Sequence, residues 1–148
     1  MNKNDHKKVE ATYDCPIDWE QSHIITANDV VPYLHQRPYN SHKGTFGHAM
    51  LIAGKRGMAG AAILSARAAL RSGVGLLTVH TPTYNTPIIQ SAVPEAIISE
   101  DDSSTHFSHA PNTGKYDAIA IGPGLGIAEE SAQAFAELLE KEAKPLII

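Results

Sequence analysis

The sequence predicts an α/β fold, a three-layer α/β/α arrangement around a mainly parallel sheet. Short, almost continuously apolar runs alternate with segments rich in helix-forming residues, and glycine-rich turns follow two of those runs. Continuous apolar runs are typical of strands that a parallel sheet buries on both faces, with helices covering those faces. The composition agrees with this class, because 43% hydrophobic and 19% charged residues are ordinary for a globular protein.

The chain begins with a segment, residues 1–24, that has little periodicity and contains the single cysteine, Cys15. We interpret this segment as a tail or inter-domain linker. Thr26 is expected to cap a short helix around Asn28–Leu34. A polar loop, Arg37–Gly47, then leads into the regular part of the chain.

Apolar runs predict the strands, and the segments between them predict the helices. The strands are expected at His48–Ala53, Val74–His80, Val93–Ser99, Tyr116–Ile121 and Pro145–Ile148. The helices are expected at Ala61–Ser72, Tyr84–Ser91 and Ala128–Ala143, the last with an apolar stripe of Ala132, Phe135, Leu138 and Leu139. Glu100–Lys115 is polar and shows no pattern.

The sequence stops inside its last apolar run. A sheet that ended on such a half-strand would expose backbone and apolar surface together. We therefore expect the chain to be the N-terminal part of a larger domain, with a sheet that is incomplete at the C-terminus. Residues 145–148 should then form a central or near-central strand.

Charge and composition exclude several classes of protein. Twelve Lys and Arg against 16 Asp and Glu give a net charge of −4, which is not the footprint of a nucleic-acid-binding protein. No apolar run is long enough for a membrane span, and the charged N-terminus is not a signal peptide. The histidines show no metal-binding spacing, so no metal site is expected. These observations favour a cytoplasmic protein with no nucleic-acid or membrane partner.

The first candidate site is the first glycine turn, Gly54–Gly60, between a strand and a helix. It matches neither a Walker A loop nor a GxGxxG fingerprint. Gly60 and Ala61 would stand at a helix N-terminus, where backbone N–H groups can meet an anion with no bulky side chain in the way. The alternative is a tight turn whose glycines only satisfy backbone geometry.

The second candidate is the second glycine turn, Gly122–Gly126, which has the sequence GPGLG and again connects a strand to a helix. Ligands of open α/β sheets bind beyond the carboxyl ends of the strands, where such turns lie. Two glycine turns at that edge suggest a place where backbone approaches a ligand closely.

A third candidate is the segment Asn40–His48. Lys43 is a candidate for a phosphate contact, and His42 or His48 for acid–base work. The alternative is a solvated lysine and a histidine packed at a strand start. Apart from these residues, the sequence shows no paired carboxylates at a strand's carboxyl end and no Ser-His-Asp arrangement, so the catalytic residues are unknown.

Together the motifs resemble the first half of the nucleotide-dependent (ADP/ATP) NAD(P)H-hydrate dehydratases, which have the ribokinase-like fold. The resemblance rests on HKGTFGHAMLIAGKRGMAGAAILSARAALRSGVGLLTVHTP, SAVPEAII and YDAIAIGPGLG, which occur in the family's order. It implies that residues 25–148 are the N-terminal part of a ribokinase-like dehydratase domain. Such domains are often fused to an NAD(P)H-hydrate epimerase, so a fused or associated epimerase is an implied partner.

The resemblance also implies site residues. Ala61, in the Gly60-Ala61 pair, matches a position whose backbone meets the hydrated dinucleotide. Gly126, with Gly124 as a second candidate, matches another such position. The family's later motifs, among them the Gly-Thr-Gly-Asp turn with the catalytic aspartate, have no counterpart here. The isolated chain is therefore expected to be inactive.

The implied reaction is the nucleotide-dependent dehydration of hydrated NADH or NADPH back to the intact cofactor, a carbon–oxygen lyase reaction of metabolite repair. NAD(P)H-hydrate is the implied substrate, ADP or ATP with Mg²⁺ is the implied cofactor, and a homo-oligomer is expected. One alternative is a kinase of the same fold that acts on a sugar or vitamin precursor, although HKGxxGH together with GPGLG favours the dehydratase. Another is a catalytically inert nucleotide-binding module.

Overall fold

The computed structural model describes residues 25–34 and 37–148. The predicted tail or linker, residues 1–24 with Cys15, lies outside the described residues. The chain divides into two units, Met1–Pro38 and Tyr39–Ile148. The boundary predicted from the sequence lies earlier, after residue 24.

In the first unit, α1 spans Ala27–Val30 and continues as a 3-10 turn, Val31–Tyr33. The Asp29 carboxylate accepts hydrogen bonds from the backbone N–H and the hydroxyl of Thr26, both at 2.7 Å. The side chain of Asp29 thereby closes the first turn onto the N-cap residue. The predicted short helix and its cap at Thr26 are both present.

The second unit is built on a five-stranded parallel sheet in the order β3-β2-β1-β4-β5. Its strands are β1 (His48–Ile52), β2 (Leu76–Pro82), β3 (Ile97–Asp101), β4 (Ala118–Ile121) and β5 (Leu146–Ile147). Its helices are α2 (Ala59–Ser72), α3 (Thr86–Ala92) and α4 (Glu129–Lys141). The predicted α/β class and parallel sheet are confirmed.

Apolar side chains on the two faces of the sheet form two separate cores. On one face, Leu51 and Val79 pack with Ala62 and Ala66 of α2. On the other face, the buried set is Met50, Ile52, Ile119, Ile121, Phe107, Tyr116 and, from α4, Ala134 and Leu138. Helices therefore cover both faces, which confirms the predicted three-layer α/β/α arrangement.

Three strands begin at least two residues later than the sequence suggested: β2, β3 and β4. Gly73 adopts a left-handed conformation (φ +106°) at the end of α2, and Val74 N–H donates to the Ala69 carbonyl at 3.4 Å. Val74 therefore completes the helix cap, and β2 starts at Leu76. Val93 N–H likewise donates to the Ile89 carbonyl at 2.7 Å to close α3. The third apolar run consequently reaches the sheet only at Ile97.

The buried face of α4 is rotated from the predicted apolar stripe. The buried residues are Ser131, Ala134 and Leu138, whereas Ala132 is exposed and the Leu139 side chain is 43% exposed. Ser131 can be buried because its hydroxyl donates to the Phe107 carbonyl at 2.7 Å. The sequence pattern counts only apolar residues, so it missed this polar position.

A 3-10 turn, Lys43–Phe46, together with Gly47 closes the amino edge of the sheet. Gly75 N–H donates to the Phe46 carbonyl at 3.1 Å, and Leu76 N–H donates to the Gly47 carbonyl at 3.0 Å. A Cβ on Gly75 would lie 1.7 Å from the Lys43 carbonyl oxygen. Only glycine therefore fits at position 75.

β5 pairs with β4 and lies at the edge of the described sheet. Its side chain Ile147 is 68% exposed. A strand at this place agrees with the expectation for Pro145–Ile148, and a central position for it stays a prediction.

We expect Gly75→Ala to lower the free energy of unfolding by at least about 3 kcal/mol, because its Cβ would overlap a main-chain carbonyl that cannot move alone. Urea denaturation followed by circular dichroism measures the change. Gly60→Ala is the matched control, because no atom lies within 4 Å of a Cβ built there. Equal stability of the two variants would show that the turn at Lys43–Phe46 yields at little cost.

Candidate functional site

The two glycine turns meet at the carboxyl edge of the sheet. They follow β1 and β4, which are paired neighbours. Gly54 N–H donates to the Pro123 carbonyl at 2.8 Å, and Gly122 N–H donates to the Ile52 carbonyl at 3.3 Å. The first turn is therefore bonded to the second turn, and the second turn to the end of β1; together the turns form one surface, which we call the glycine-turn site.

Four of the five predicted site residues belong to this surface. A Cβ on Gly124 would lie 2.9 Å from the Ala61 Cβ, so the two residues pack directly against each other. A Cβ on Gly126 would lie 2.8 Å from the Lys55 Cδ. Gly60 is exposed one residue before Ala61. The structure thus brings together Gly60, Ala61, Gly124 and Gly126.

Packing and conformation explain some of these glycines. Gly124 (φ +71°) has no room for a side chain against Ala61 and Met58, and both Gly124 and Gly126 (φ +82°) have left-handed backbone. Gly60 differs from them, because its φ is not positive and nothing lies within 4 Å of its Cβ position. The described part of the chain therefore contains no packing reason for glycine at position 60.

The start of α2 has the properties of an anion-binding surface. Its N-cap residue, Met58, makes no capping hydrogen bond through its side chain, and its first turn contains no acidic residue. The positive end of the helix dipole is consequently not neutralised by the helix's own residues. Gly60 and Ala61 lie in this first turn.

A cavity of about 350 Å³ adjoins the second glycine turn. Its lining is mostly apolar and comprises Leu125, Gly126, Ile127, Ala128, Ser131, Ala132 and Phe135. An apolar cavity of this size beside exposed backbone is typical of small-molecule sites.

Lys43 lies apart from the glycine-turn site, and its predicted phosphate contact stays a prediction. It precedes β1 in the 3-10 turn at the amino edge, whereas the glycine turns follow the strands. The separation is the length of β1, about 16 Å for five extended residues. His42 caps the same turn, where its Nδ1 accepts the Gly44 N–H at 3.1 Å.

His48 also lies at the amino edge. Its Nε2 and the Thr78 hydroxyl are 2.8 Å apart, and its ring meets Tyr116 edge-on at 4.7 Å. Burial, aided by Lys115 and opposed by Asp117, lowers the His48 pKa. The structure thus agrees with the alternative reading, a histidine packed at a strand start.

Asp101 at the carboxyl end of β3 organises the segment that showed no pattern in the sequence. Its buried carboxylate accepts hydrogen bonds from the Ser103 N–H at 2.9 Å, the Ser108 N–H at 3.0 Å and the Ser108 hydroxyl. The folded loop, residues 102–110, also accepts a hydrogen bond from the first glycine turn: the Arg56 N–H donates to the Thr105 carbonyl at 2.8 Å. The loop thereby supports the first glycine turn.

His80 completes a buried line of polar groups. Its Nε2 lies 3.1 Å from Asp101 Oδ2, and its Nδ1 lies 3.1 Å from the Ser99 hydroxyl. No Ser-His-Asp arrangement was evident in the sequence, because His80 lies on β2 whereas Ser99 and Asp101 lie on the neighbouring strand β3. Asp101 already accepts three bonds from the loop, so the line anchors the loop to the sheet.

The pKa values of this pair follow from burial and hydrogen bonding. Burial lowers the His80 pKa, although Asp101 opposes the shift. Burial alone would raise the Asp101 pKa, but the hydrogen bonds from Ser108, Ser103 and His80 outweigh it and hold that pKa below its ordinary value. At neutral pH the pair is a neutral imidazole beside a carboxylate.

Asn85 is a further residue that the sequence analysis missed. It is fully buried behind the first glycine turn, where its Nδ2 donates to the Lys55 carbonyl at 3.3 Å and the Thr81 hydroxyl at 3.1 Å. Its position after a strand and a proline was a weak signal for such a role. Asn85 fixes the backbone from which the Lys55 side chain extends.

The described residues form neither a metal-binding cluster nor a membrane-spanning helix. Among residues 25–34 and 37–148, no group of three or more His, Cys, Asp and Glu side chains could hold a metal ion. The helices of the same segments include none that is both long and apolar enough to cross a membrane.

Comparison with known proteins gives a consistent result. The family model described as NAD(P)H-hydrate dehydratase matches residues 49–148. An ADP-dependent (S)-NAD(P)H-hydrate dehydratase from Bacillus subtilis is 37% identical over 130 residues, which cover 88% of this chain and 44% of that protein. The corresponding protein from Listeria monocytogenes is 32% identical, with 81% of this chain and 43% of that protein covered.

Solved structures agree. The crystal structure of the ADP/ATP-dependent NAD(P)H-hydrate dehydratase from Bacillus subtilis, co-crystallised with ATP and Mg²⁺, superposes with a TM-score of 0.70 at 37% identity. The superposition covers 82% of this chain and 43% of that chain. The chain thus spans less than half the length of these relatives.

We expect the free energy of unfolding to fall as the pH decreases from about 7 to about 5, because the unfolded chain binds a proton near pH 6.5 that buried His80 resists. The lowered pKa of His48 acts in the same window, and the lowered pKa of Asp101 adds a further loss below about pH 4. Urea denaturation at a series of pH values measures the slope. His80→Gln should reduce the slope between pH about 7 and about 5 and leave the contribution of His48. An unchanged slope would contradict a neutral buried His80.

Proposed function

The chain belongs to the NAD(P)H-hydrate dehydratase family, and from that premise we propose that its glycine-turn site binds hydrated NADH or NADPH. The chain would supply the dinucleotide-binding part of a nucleotide-dependent dehydratase. Its relatives carry that activity in their names, and the chain spans less than half of their length. The proposal therefore assigns binding, rather than the whole reaction, to these residues.

The observation that carries the proposal is the exposed backbone around Gly60. Glycine is costly inside a helix, by roughly 0.5–1 kcal/mol relative to alanine. At position 60 neither a positive φ nor a close neighbour requires it. A ligand that approaches the first turn of α2 closely does explain it, and Ala61 beside it has the next smallest side chain.

The reaction proposed for the family removes water from the hydrated nicotinamide ring at the expense of ADP or ATP. The ring hydroxyl would become a phosphate ester, and loss of phosphate together with a ring proton would restore the double bond. These steps need a base and a site for the transferring phosphoryl group. The two glycine turns contain no Asp, Glu or His side chain that could act as that base, so their proposed task is to hold and orient the dinucleotide.

Nucleotide and magnesium are proposed from the relatives. The names of two relatives describe them as ADP-dependent, and one crystal structure was obtained with ATP and Mg²⁺. The described residues do not fit a magnesium site, because they contain no cluster of three or more suitable side chains. No step through Mg²⁺ is therefore assigned to this chain's own residues.

An epimerase partner is a further part of the proposal. One relative, from Coxiella burnetii, is named a bifunctional NAD(P)H-hydrate repair enzyme; it is 34% identical, and the match covers 80% of this chain and 24% of that protein. We propose that this chain works together with an NAD(P)H-hydrate epimerase, either fused or separate. The homo-oligomer and the cytoplasmic location stay predictions.

The activity is tested on the complete protein that contains these residues. Hydrated NADH or NADPH is incubated with ADP or with ATP in the presence of Mg²⁺, and recovery of the reduced nicotinamide absorbance is followed. We expect recovery that depends on the added nucleotide. Phosphorylation of a sugar or vitamin precursor, without recovery of reduced cofactor, would favour the kinase alternative.

We expect Gly60→Leu to weaken binding of hydrated NADPH at least about tenfold, because the added side chain fills the space in which the ligand would contact α2. Isothermal titration calorimetry on the complete protein measures the dissociation constant. The matched control is Ala68→Leu, which adds a leucine at an exposed position later in the same helix. Gly126→Val is a less specific test, because position 126 has a φ of +82° and is contacted by Lys55, so a valine there would also strain the fold.

Thermal denaturation followed by circular dichroism checks that both variants are folded. If folded Gly60→Leu binds as tightly as Ala68→Leu, the turn is structural and the dinucleotide site lies elsewhere.

A further inference from the structure

Lys55 in the first glycine turn lies across the second glycine turn. Its Cδ, Cε and Nζ atoms stand 2.8, 3.1 and 3.1 Å from the position that a Cβ on Gly126 would take. The absence of a side chain at position 126 therefore lets the lysine lie flat along the backbone. The ammonium group is placed at the surface where the two turns meet.

The backbone at Lys55 is held from several directions. The Lys55 carbonyl accepts hydrogen bonds from Met58 N–H at 2.8 Å and from Asn85 Nδ2 at 3.3 Å. On either side, Gly54 donates to Pro123 and Arg56 donates to Thr105, both at 2.8 Å. The side chain thus extends from a fixed base, which reduces the entropy lost when its ammonium binds a partner.

The ammonium of Lys55 has no anionic partner among the described residues. Several other cations of the described segments are engaged, for example Lys141, which pairs with Glu137 at 3.3 Å, and Arg56, whose guanidinium lies 4.6 Å from the centre of the Tyr84 ring. No Lys55 ion pair or side-chain hydrogen bond occurs within the described segments. A half-buried, positioned cation without a carboxylate is available to an anionic ligand.

Resting on the proposed function, we propose that Lys55 binds a phosphate group of the hydrated dinucleotide. The dinucleotide contains phosphates in its pyrophosphate bridge, and the NADPH form has one more on a ribose. The uncapped start of α2, whose first turn contains no acidic residue, adds favourable potential for the same anion. Lys55 is thus a binding and specificity residue beside the backbone contacts of Gly60 and Ala61.

The test is calorimetric titration of the complete protein with hydrated NADH and, separately, hydrated NADPH. The variants are Lys55→Gln, which removes the charge, and Lys55→Arg, which keeps it. Arg71→Gln is the matched control, because it removes one exposed cation at the opposite end of α2. Each titration is repeated at several salt concentrations, and circular dichroism verifies folding.

We expect Lys55→Gln to weaken binding about tenfold or more, as for loss of a charge-assisted hydrogen bond. Lys55→Arg should retain most of the affinity, and Arg71→Gln should bind as the wild type does. The salt dependence of binding should be shallower in Lys55→Gln than in the wild type.

The two dinucleotides identify the phosphate. Equal weakening for both assigns Lys55 to the pyrophosphate bridge, and weakening for hydrated NADPH alone assigns it to the ribose phosphate; both results support the inference. Wild-type affinity in folded Lys55→Gln, or equal weakening in Arg71→Gln, would overturn it while the proposed function stands. Failure of the wild type to bind either dinucleotide would overturn the proposed function and this inference together.

Discussion

The hydrogen bond from Gly54 N–H to the Pro123 carbonyl is the contact on which the candidate site depends. It joins the segments that follow β1 and β4, so that the two glycine turns form one surface. Because β1 is central in the described sheet, segments after three other strands also reach its loop. Asn85 follows β2, Thr105 follows β3 and Pro123 follows β4, and each bonds to the first glycine turn or supports it.

The two edges of the sheet have different physical characters. At the amino edge, the Lys43–Phe46 turn packs closely against Gly75, and the His48 N–H donates to the Asp117 carboxylate at 2.8 Å. At the carboxyl edge, Gly60 has open space beside it. The segment HKGTFGH, which helped to carry the family resemblance, therefore lies at the packed amino edge, whereas the candidate glycine-turn site lies at the carboxyl edge.

Sequence patterns predicted what depends on neighbours along the chain. The apolar runs identified each strand, and the glycines identified both turns, because strand burial and turn geometry leave local signatures. The loop around Asp101 was missed because its order comes from hydrogen bonds between residues distant in sequence, such as His80 and Asp101. The sequence also did not indicate at which edge of the sheet Lys43 lies, because that depends on strand direction, and its phosphate contact stays a prediction.

In the sequence, a glycine at the site could reflect either tight packing of the turns or the close approach of a ligand. The structure distinguishes these two reasons. Gly124 is small because Ala61 and Met58 leave no room, so its identity concerns the joint between the turns. Gly60 has no such neighbour. Of these two glycines, it is therefore the one whose small size points toward a bound molecule. Lys55 could not be recognised from the pattern at all, since its position depends on a glycine far along the chain, Gly126.

Gly75 also restricts which base changes a gene that encodes this chain can accumulate. All glycine codons share their first and second bases, so a change at either of those bases replaces the residue and introduces atoms where the Lys43 carbonyl stands. Third-base changes are silent there. Codon 75 should therefore accumulate only synonymous variation unless the segment around Lys43 is first shortened or reshaped, which ties the history of these two stretches of the gene to each other.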